Sequence, residues 1–280
     1  MTGRRSGAPA MPTAPEFSSP LSVAISAQDR ETIAMVRDAV AERRMRMAWQ
    51  PVVSSADPGR IAFHEGLIRL LDPQGRVIPA ASFMSAVENQ ELGREIDMLA
   101  LETGMAALMR NPDLRLSVNM SARSIGYPRW MAVLHRGLAA DPTCGERLIL
   151  EITETSAILV PELVAAFMAE LQGKGIAFAL DDFGAGYTAF RYFRDFYFDI
   201  LKIDGQFIRN IDQDADNQVL VAALLSIAQH FDMACVAEAV ETEAEAAWLA
   251  ALGVDLLQGY AFGAPTLRPA WEEEVERRTA

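Results

Sequence analysis

Short apolar runs of strand-like composition recur along this chain. Again and again such a run stops on a charged or metal-seeking residue: Glu65, Asn119, Glu151, Asp181 with Asp182, Lys202, Glu238 and Gln258. The runs predict strands over 46–54, 61–70, 114–120, 147–152, 176–181, 198–203, 233–238 and 254–258. Between them, apolar positions at helical spacing predict helices over 28–44, 81–109 in two pieces, 127–139, 161–173, 187–195, 214–231 and 242–252, with a closing helix near 269–278. Strands alternating with helices of this length imply parallel βαβ units. A doubly wound open sheet would scatter the polar strand ends to both sides of a switch point. A closed (β/α)8 barrel gathers them at one mouth, where active sites of that α/β architecture lie. Only Ser54 to Arg60, a short polar segment with Pro58 and Gly59, separates the first two strands. That is a hairpin and not a helical crossover, so one strand of the barrel is expected to run antiparallel. Residues 1–25, rich in Pro, Ser, Ala and Thr, predict a disordered tail ahead of a barrel domain over 26–280.

The period of two along a strand tells which way each polar group faces. Glu151 shares a face with Ile149, Asp181 with Ala177 and Ala179, Asn119 with Ser117, and Lys202 with Ile200. Ile176, Phe178 and Leu180 point the other way, under the helices. Asp181 and Asp182 are neighbours and would face opposite sides of a continued strand. The glycines of Phe183-Gly184-Ala185-Gly186-Tyr187 let the backbone turn there, so that both carboxylates can reach the mouth. An isolated Asp-Asp pair is ordinarily a surface turn or a helix cap. Beside Glu65, Asn119, Glu151 and Glu238 at equivalent positions, it reads as part of a ligand set for hard cations. Lys202 would pair with these acids, either orienting a water or simply compensating charge. Arg69, on the same strand face as Glu65, has a fork that suits a phosphate or a loop carboxylate alike. His64 alternates to the face opposite Glu65, and His135 and His230 fall in helices. With no histidine-rich zinc pattern, the ligands are oxygen-dominated and point to Mg²⁺ or Mn²⁺.

Composition narrows the partners. With 280 residues, 51% of them hydrophobic, and a mean hydropathy of +0.10, the chain can bury the core of one barrel. A net charge of −13 argues against nucleic-acid polymers and anionic membranes, whose phosphates need Lys and Arg. A phosphate ligand still fits if divalent cations stand between it and the acids. The two cysteines, Cys144 and Cys235, are too few for a disulfide framework and read as small apolar residues in a reducing, cytoplasmic setting. The longest apolar stretch, near Val219 to Ala228, is far short of a membrane span, and Arg4-Arg5 lacks the apolar core of an export signal.

A set of short motifs occurs in a telling order: Trp49-Gln50-Pro51-Val52-Val53, Glu65-Gly66-Leu67-Ile68-Arg69, Ser117-Val118-Asn119-Met120-Ser121, Leu150-Glu151-Ile152-Thr153-Glu154, Asp181 to Tyr187, Leu201-Lys202-Ile203-Asp204, Val236-Ala237-Glu238-Ala239-Val240-Glu241 and Gln258-Gly259-Tyr260. Together they resemble the EAL-domain cyclic-di-GMP phosphodiesterases, over about residues 30–270. The resemblance implies an enzyme that opens cyclic di-GMP to linear pGpG with two Mg²⁺ or Mn²⁺ ions, on a barrel with one antiparallel strand. It implies that Glu65, Asn119, Glu151 and Asp181 hold one metal, and that Asp181 bridges to a second with help from Asp182. Glu238 would serve the second metal's water shell or act as general base, Lys202 would orient the attacking water, and Gln258 would complete the polar floor. Arg69 and Gln50 would contact the ligand. Glu154 would anchor the loop after Asp182, which the family also uses at a homodimer interface. Three positions depart from the family pattern: Gly66 for the naming alanine, Ala185 for a common threonine, and Ala239 for a common glycine. None is a metal ligand. Two readings follow from the resemblance, an active phosphodiesterase and a catalytically weak or inactive cyclic-di-GMP receptor. Retention of every ligand favours the first.

Overall fold

Strand pairing closes a ring. The structure is a computed structural model that describes residues 20–184 and 196–272, with side chains from residue 28 onward. Among the described residues there are nine strands: β1 (Met45–Ser54), β2 (Ile61–Leu71), β3 (Val77–Pro79), β4 (Leu116–Asn119), β5 (Leu148–Thr153), β6 (Ala177–Phe183), β7 (Ile200–Ile203), β8 (Ala234–Ala237) and β9 (Leu256–Gln258). Their order is β1-β9-β8-β7-β6-β5-β4-β2-β3, and β1 also pairs with β2, so eight strands form a closed barrel and β3 hangs on β2 as an extra hairpin arm. The antiparallel strand is β1, which opposes both of its neighbours, β2 and β9. Its hairpin is tied by Ser54 N–H donating to Arg60 O at 3.0 Å. The strand positions read from the sequence hold, apart from two details. The short β3, Val77-Ile78-Pro79, is not among the expected strands, because three residues are too few to show an alternation. And β2, expected over 61–70, runs to Leu71, so Glu65 lies mid-strand where the parallel pairing with β4 ends and pairing with β1 and β3 continues.

The helices are α1 (Pro20–Ala41), α2 (Met84–Val87), α3 (Glu91–Arg110), α4 (Pro128–Ala140), α5 (Glu154–Leu159), α6 (Pro161–Gln172), α7 (Ala215–His230) and α8 (Glu243–Leu252). Local chemistry explains their limits. Proline opens α4 and α6 at the first helical position, where its missing N–H costs nothing. Asp214 caps α7, and Thr242 with Glu245 forms a capping box on α8, which ends at Gly253 with φ 98°. The first helix begins at Pro20, ahead of the start expected at Gln28, and residues 1–19 of the expected tail lie outside the described residues. The helix expected over 187–195, Ala185 and Tyr187 of the glycine loop, and the end of the closing helix from residue 273 also lie outside them.

Two of the barrel's faces are now assigned. Outward-facing residues such as Leu116, Leu148, Phe178 and Leu201 pack under the helices in the main core. A separate cluster of Val36, Ala39, Leu70, Phe83, Val87, Leu92 and Ile96 holds α1 and α2 against the end of β2. Inside the barrel, Val52, Phe63, Ile149, Ala179, Ile200 and Val236 form an apolar floor. Each fully buried large side chain of this kind stabilises the fold by about 1.5–3 kcal/mol.

Candidate active site

Directly above that floor the same strand faces turn polar. Two residues further along, Phe63 gives way to Glu65, Ile149 to Glu151, Ala179 to Asp181, Ile200 to Lys202 and Val236 to Glu238. Lys202, 1% exposed, stands at the centre. Its Nζ lies 2.7 Å from Glu238 Oε1, 2.8 Å from Glu151 Oε2, 3.0 Å from Asp181 Oδ1 and 3.3 Å from Glu65 Oε2. Asn119 Nδ2 donates to Glu65 Oε1 at 2.8 Å, and Gln258 Nε2 donates to Glu65 Oε2 at 2.6 Å and to Gln50 Oε1 at 3.3 Å. Gln50 Nε2 in turn donates to Gly263 O at 3.1 Å. Gln50, Glu65, Lys202 and Gln258 line the bottom of a cavity of about 1000 Å³ whose walls include Asn119, Asp181, Asp182, Glu238 and Tyr260, with Glu151 buried behind Lys202.

The electrostatics follow from one ammonium shared among four acids. Burial would lower the Lys202 pKa, but Asp181, Glu151, Glu238 and Glu65 outweigh it and hold the amine charged, well above its ordinary value. Burial also pushes Glu65 upward, yet the Lys202 charge and the hydrogen bonds from Gln258 and Asn119 bring it below the usual range. Glu151 is pushed up to about 8, by burial first and by the Glu65 charge second, and Glu238 is raised for the same kind of reason. Among the described residues, Glu151 Oε1 and Gln258 Oε1 are buried without a hydrogen bond, and Asp181 Oδ1 has only its ion pair with Lys202. All three are acceptors, so the site has room for a further donor or a cation. Asp181, Asp182 and Glu238 bring one carboxylate oxygen each to within 4.8 Å of one another. A set of oxygen donors with surplus negative charge fits hard divalent cations.

Asp182 reaches the mouth by a different device from the expected one. The turn occurs at Asp182 itself, at φ 55° inside β6, where the pairing with β7 shifts register between Leu180 and Phe183. Aspartate tolerates this left-handed conformation better than most residues. Its carboxyl is pushed up to about 6 by desolvation and by the neighbouring Asp181 and Asp204 charges. Gly184 follows at φ 94°, with the Phe207 ring where a side chain would stand, and its N–H donates to Glu154 Oε2 at 3.3 Å. Glu154, buried at the start of α5, thus touches the chain just beyond the Asp pair. Arg69 lies on the expected face but does not line the cavity; it donates to Ile68 O at 2.9 Å, with Glu65 and Tyr260 close enough to act on its charge. His64 faces away from the barrel interior, 6.3 Å from the Trp271 ring.

Two features escape the strand-end pattern. Asp97 sits on α3 at the cavity wall, buried, accepting from Ser121 N at 2.9 Å and Ser124 Oγ at 2.6 Å, and so pins the turn that follows Asn119. Burial drives its carboxyl up to about 6 against those two hydrogen bonds. Its signal in the sequence is an aspartate between Ile96 and Met98, on a helix face otherwise apolar. The second is the room at Gly66: a Cβ there would meet Met47 Sδ at 2.6 Å on the outer face of the barrel, so Met47 already fills the space of the family's alanine methyl.

An acid-lined mouth on an eight-stranded barrel with one reversed strand, its acids sharing one buried lysine, marks an α/β barrel with a polar site at the strand ends. The chain belongs to the EAL domain family, whose model matches residues 33–265. It is 28% identical over 249 residues to the cyclic di-GMP phosphodiesterase PdeB of Shewanella oneidensis, covering 88% of this chain and 29% of that protein. It is 32% identical over 207 residues to the cyclic di-GMP phosphodiesterase PdeF of Escherichia coli, covering 72% of this chain and 28% of that protein. The chain therefore spans under a third of either relative. Among solved structures it resembles the PaMucR phosphodiesterase in complex with c-di-GMP, with a TM-score of 0.77, 28% identity, and 87% and 99% of the two chains covered. The FimX EAL domain from Pseudomonas aeruginosa bound to c-di-GMP matches with a TM-score of 0.76 at 26% identity, covering 85% of this chain and 97% of that one. No helix among the described residues is long and apolar enough to cross a membrane.

Proposed function

We propose that this chain is a metal-dependent phosphodiesterase that hydrolyses cyclic di-GMP to linear pGpG, lowering the level of that second messenger. The observation that carries the reading is the ring of four carboxylates closed on Lys202, with buried acceptor oxygens left over, at the floor of a cavity large enough for a dinucleotide. Family membership and likeness to domains solved with the cyclic dinucleotide support the choice of substrate.

Glu65, Asn119, Glu151 and Asp181 would hold one Mg²⁺ or Mn²⁺, and Asp181 with Asp182 and Glu238 the other. Two such cations supply charge stabilisation to the entering and leaving oxygens of an in-line displacement. The remaining work falls to the chain's own groups. Lys202 keeps Glu238 and Glu151 fixed and offers its ammonium protons to an oxygen entering beside them. Glu238, partly exposed and raised in pKa, accepts the proton of the attacking water. Gln258 and Asn119 orient Glu65 through the bonds already in place. Gln50, at the cavity bottom, and Arg69, just outside its lining, would receive the anionic ligand, and the apolar floor keeps bulk water from below. Glu154, bonded to Gly184, would anchor the loop toward a homodimer partner. The free, buried cysteines suit a cytoplasmic setting.

Incubating the purified chain with cyclic di-GMP and Mg²⁺ or Mn²⁺ tests the reading. Formation of pGpG that disappears in Glu65→Ala and in EDTA is expected. Tight binding with no product from the wild type would instead make the chain a receptor, and the absence of both would discard the substrate.

A further inference from the structure

Glu238 lies just beyond β8, where the strand ends, so few backbone ties hold it against Lys202. Its own N–H donates to Ile203 O at 3.2 Å, and two residues on Val240 N–H donates to Gln258 O at 3.0 Å. Between these two ties sits Ala239, at φ 54°, a left-handed conformation that an L-residue with a Cβ resists. Ala239 lines the cavity, and its methyl stands over the bare backbone of buried Gly205. A Cβ at Gly205 would come within 2.5 Å of the Ala239 Cβ and 3.8 Å of Glu238 O. Gly205 lies two residues past the end of β7, which carries Lys202, whose Nζ is 2.7 Å from Glu238 Oε1. One small contact therefore joins the turn that bears Glu238 to the strand end that bears Lys202.

The geometry points to the Ala239–Gly205 contact as a positioning element: the alanine methyl, seated on a glycine that leaves it room, sets the spacing between β7 and the turn after β8 and so aims the Glu238 carboxylate. A glycine at 239 would adopt the same backbone without strain but with more freedom, and a side chain at 205 would push the turn away. The inference rests on the proposed function in one respect, that Glu238 serves a divalent cation beside Asp181 and Asp182.

Four full-length proteins test it: wild type, A239G, G205A and the double variant, each compared by Mn²⁺ calorimetry, thermal midpoint in EDTA and steady-state hydrolysis of cyclic di-GMP. G205A is expected to weaken Mn²⁺ binding about tenfold or more and to lower kcat at little-changed KM, as loss of outer-sphere support does. A239G alone should weaken Mn²⁺ about threefold without lowering the midpoint, and the double variant should recover from the G205A defect to the level of A239G, a non-additive result for residues in contact. A G205A protein with a lowered midpoint but wild-type Mn²⁺ affinity and kcat would make the contact merely structural and overturn the proposal. So would a double variant as impaired as G205A. If the wild type itself neither binds Mn²⁺ nor cleaves cyclic di-GMP, the proposed function fails and this role with it, while the midpoints would still report whether the two methyls collide.

Discussion

Two layers of the barrel interior, one turn of the pleat apart, obey opposite rules. The lower layer, Phe63, Ile149, Ala179, Ile200 and Val236, is apolar and fully packed. The upper layer, Glu65, Glu151, Asp181, Lys202 and Glu238, is buried almost as deeply but carries four acids on one ammonium, with Glu151 Oε1 left without a donor among the described residues. The strands, their tilt and their pairing are shared. What differs is only the residue type two positions along, and with it the purpose: the floor lowers the free energy of the fold, and the mouth raises it in exchange for charge held where a reaction can use it.

Lys202→Met should break that contrast most. It leaves four buried acids with no counter-charge, so turnover should fall by about 10²–10⁴-fold and metal-free stability by about 3–5 kcal/mol, as when one partner of a buried ion pair is lost. Calorimetric unfolding in EDTA, beside a turnover assay, checks both. An intact, active Lys202→Met protein would show the two layers to be less different than their chemistry suggests.

The layers should then separate under paired substitutions. Ile149→Ala in the floor is expected to cost about 2–5 kcal/mol of stability through its cavity, with turnover changed only a few-fold at a temperature where the protein is folded. Glu151→Gln above it should do the reverse, removing turnover while stabilising the metal-free protein in alkaline solution. The sign follows from the raised pKa. Stability contributed by the protonated Glu151 carboxyl is fully present below its unfolded value of 4.5 and is lost as pH rises through about 8, a loss that glutamine does not suffer. Denaturant midpoints at pH 5 and pH 9 measure it; equal differences at both would refute it.

Asp97 sharpens the comparison, being a buried acid with no lysine. Its carboxyl moves from 3.8 to about 6 on folding, so the stability advantage of wild type over Asp97→Asn should shrink by about 3 kcal/mol between pH 3.5 and pH 7. A flat difference across that range would mean that Asp97 stays ionised. The smallest effect is expected on the outer face. Gly66→Ala restores the family's alanine, and since the obstacle is the flexible end of Met47, stability should change by less than about 1 kcal/mol and turnover by less than about twofold. A large loss would show that the Met47 end is locked in place.

Much of this was legible before any coordinates. The period of two placed Glu151, Asp181 and Lys202 on the faces of Ile149, Ala179 and Ile200, and those faces are the barrel interior. The polar hairpin at Ser54–Arg60 announced the reversed strand, now seen as β1. What stayed hidden has physical reasons. The short β3, absent from the expected strands, exists only because the end of β2 offers it a partner in space. Asp97 reads as an ordinary polar residue on a helix until the turn after β4 is folded over it. The turn at Asp182 comes from a register shift between two strands, which needs both strands to exist.

The amino-acid order by itself thus determined the eight barrel strands, which face of each is apolar and which acids share an end, because alternation and residue chemistry are local properties. Only the tertiary structure decided that one ammonium lies 2.7–3.3 Å from four carboxylates contributed by separate strands, that Met47 fills the space left at Gly66, and that the Ala239 methyl rests on Gly205. Distances between groups far apart in the chain are set by barrel closure and packing, and no local pattern encodes them.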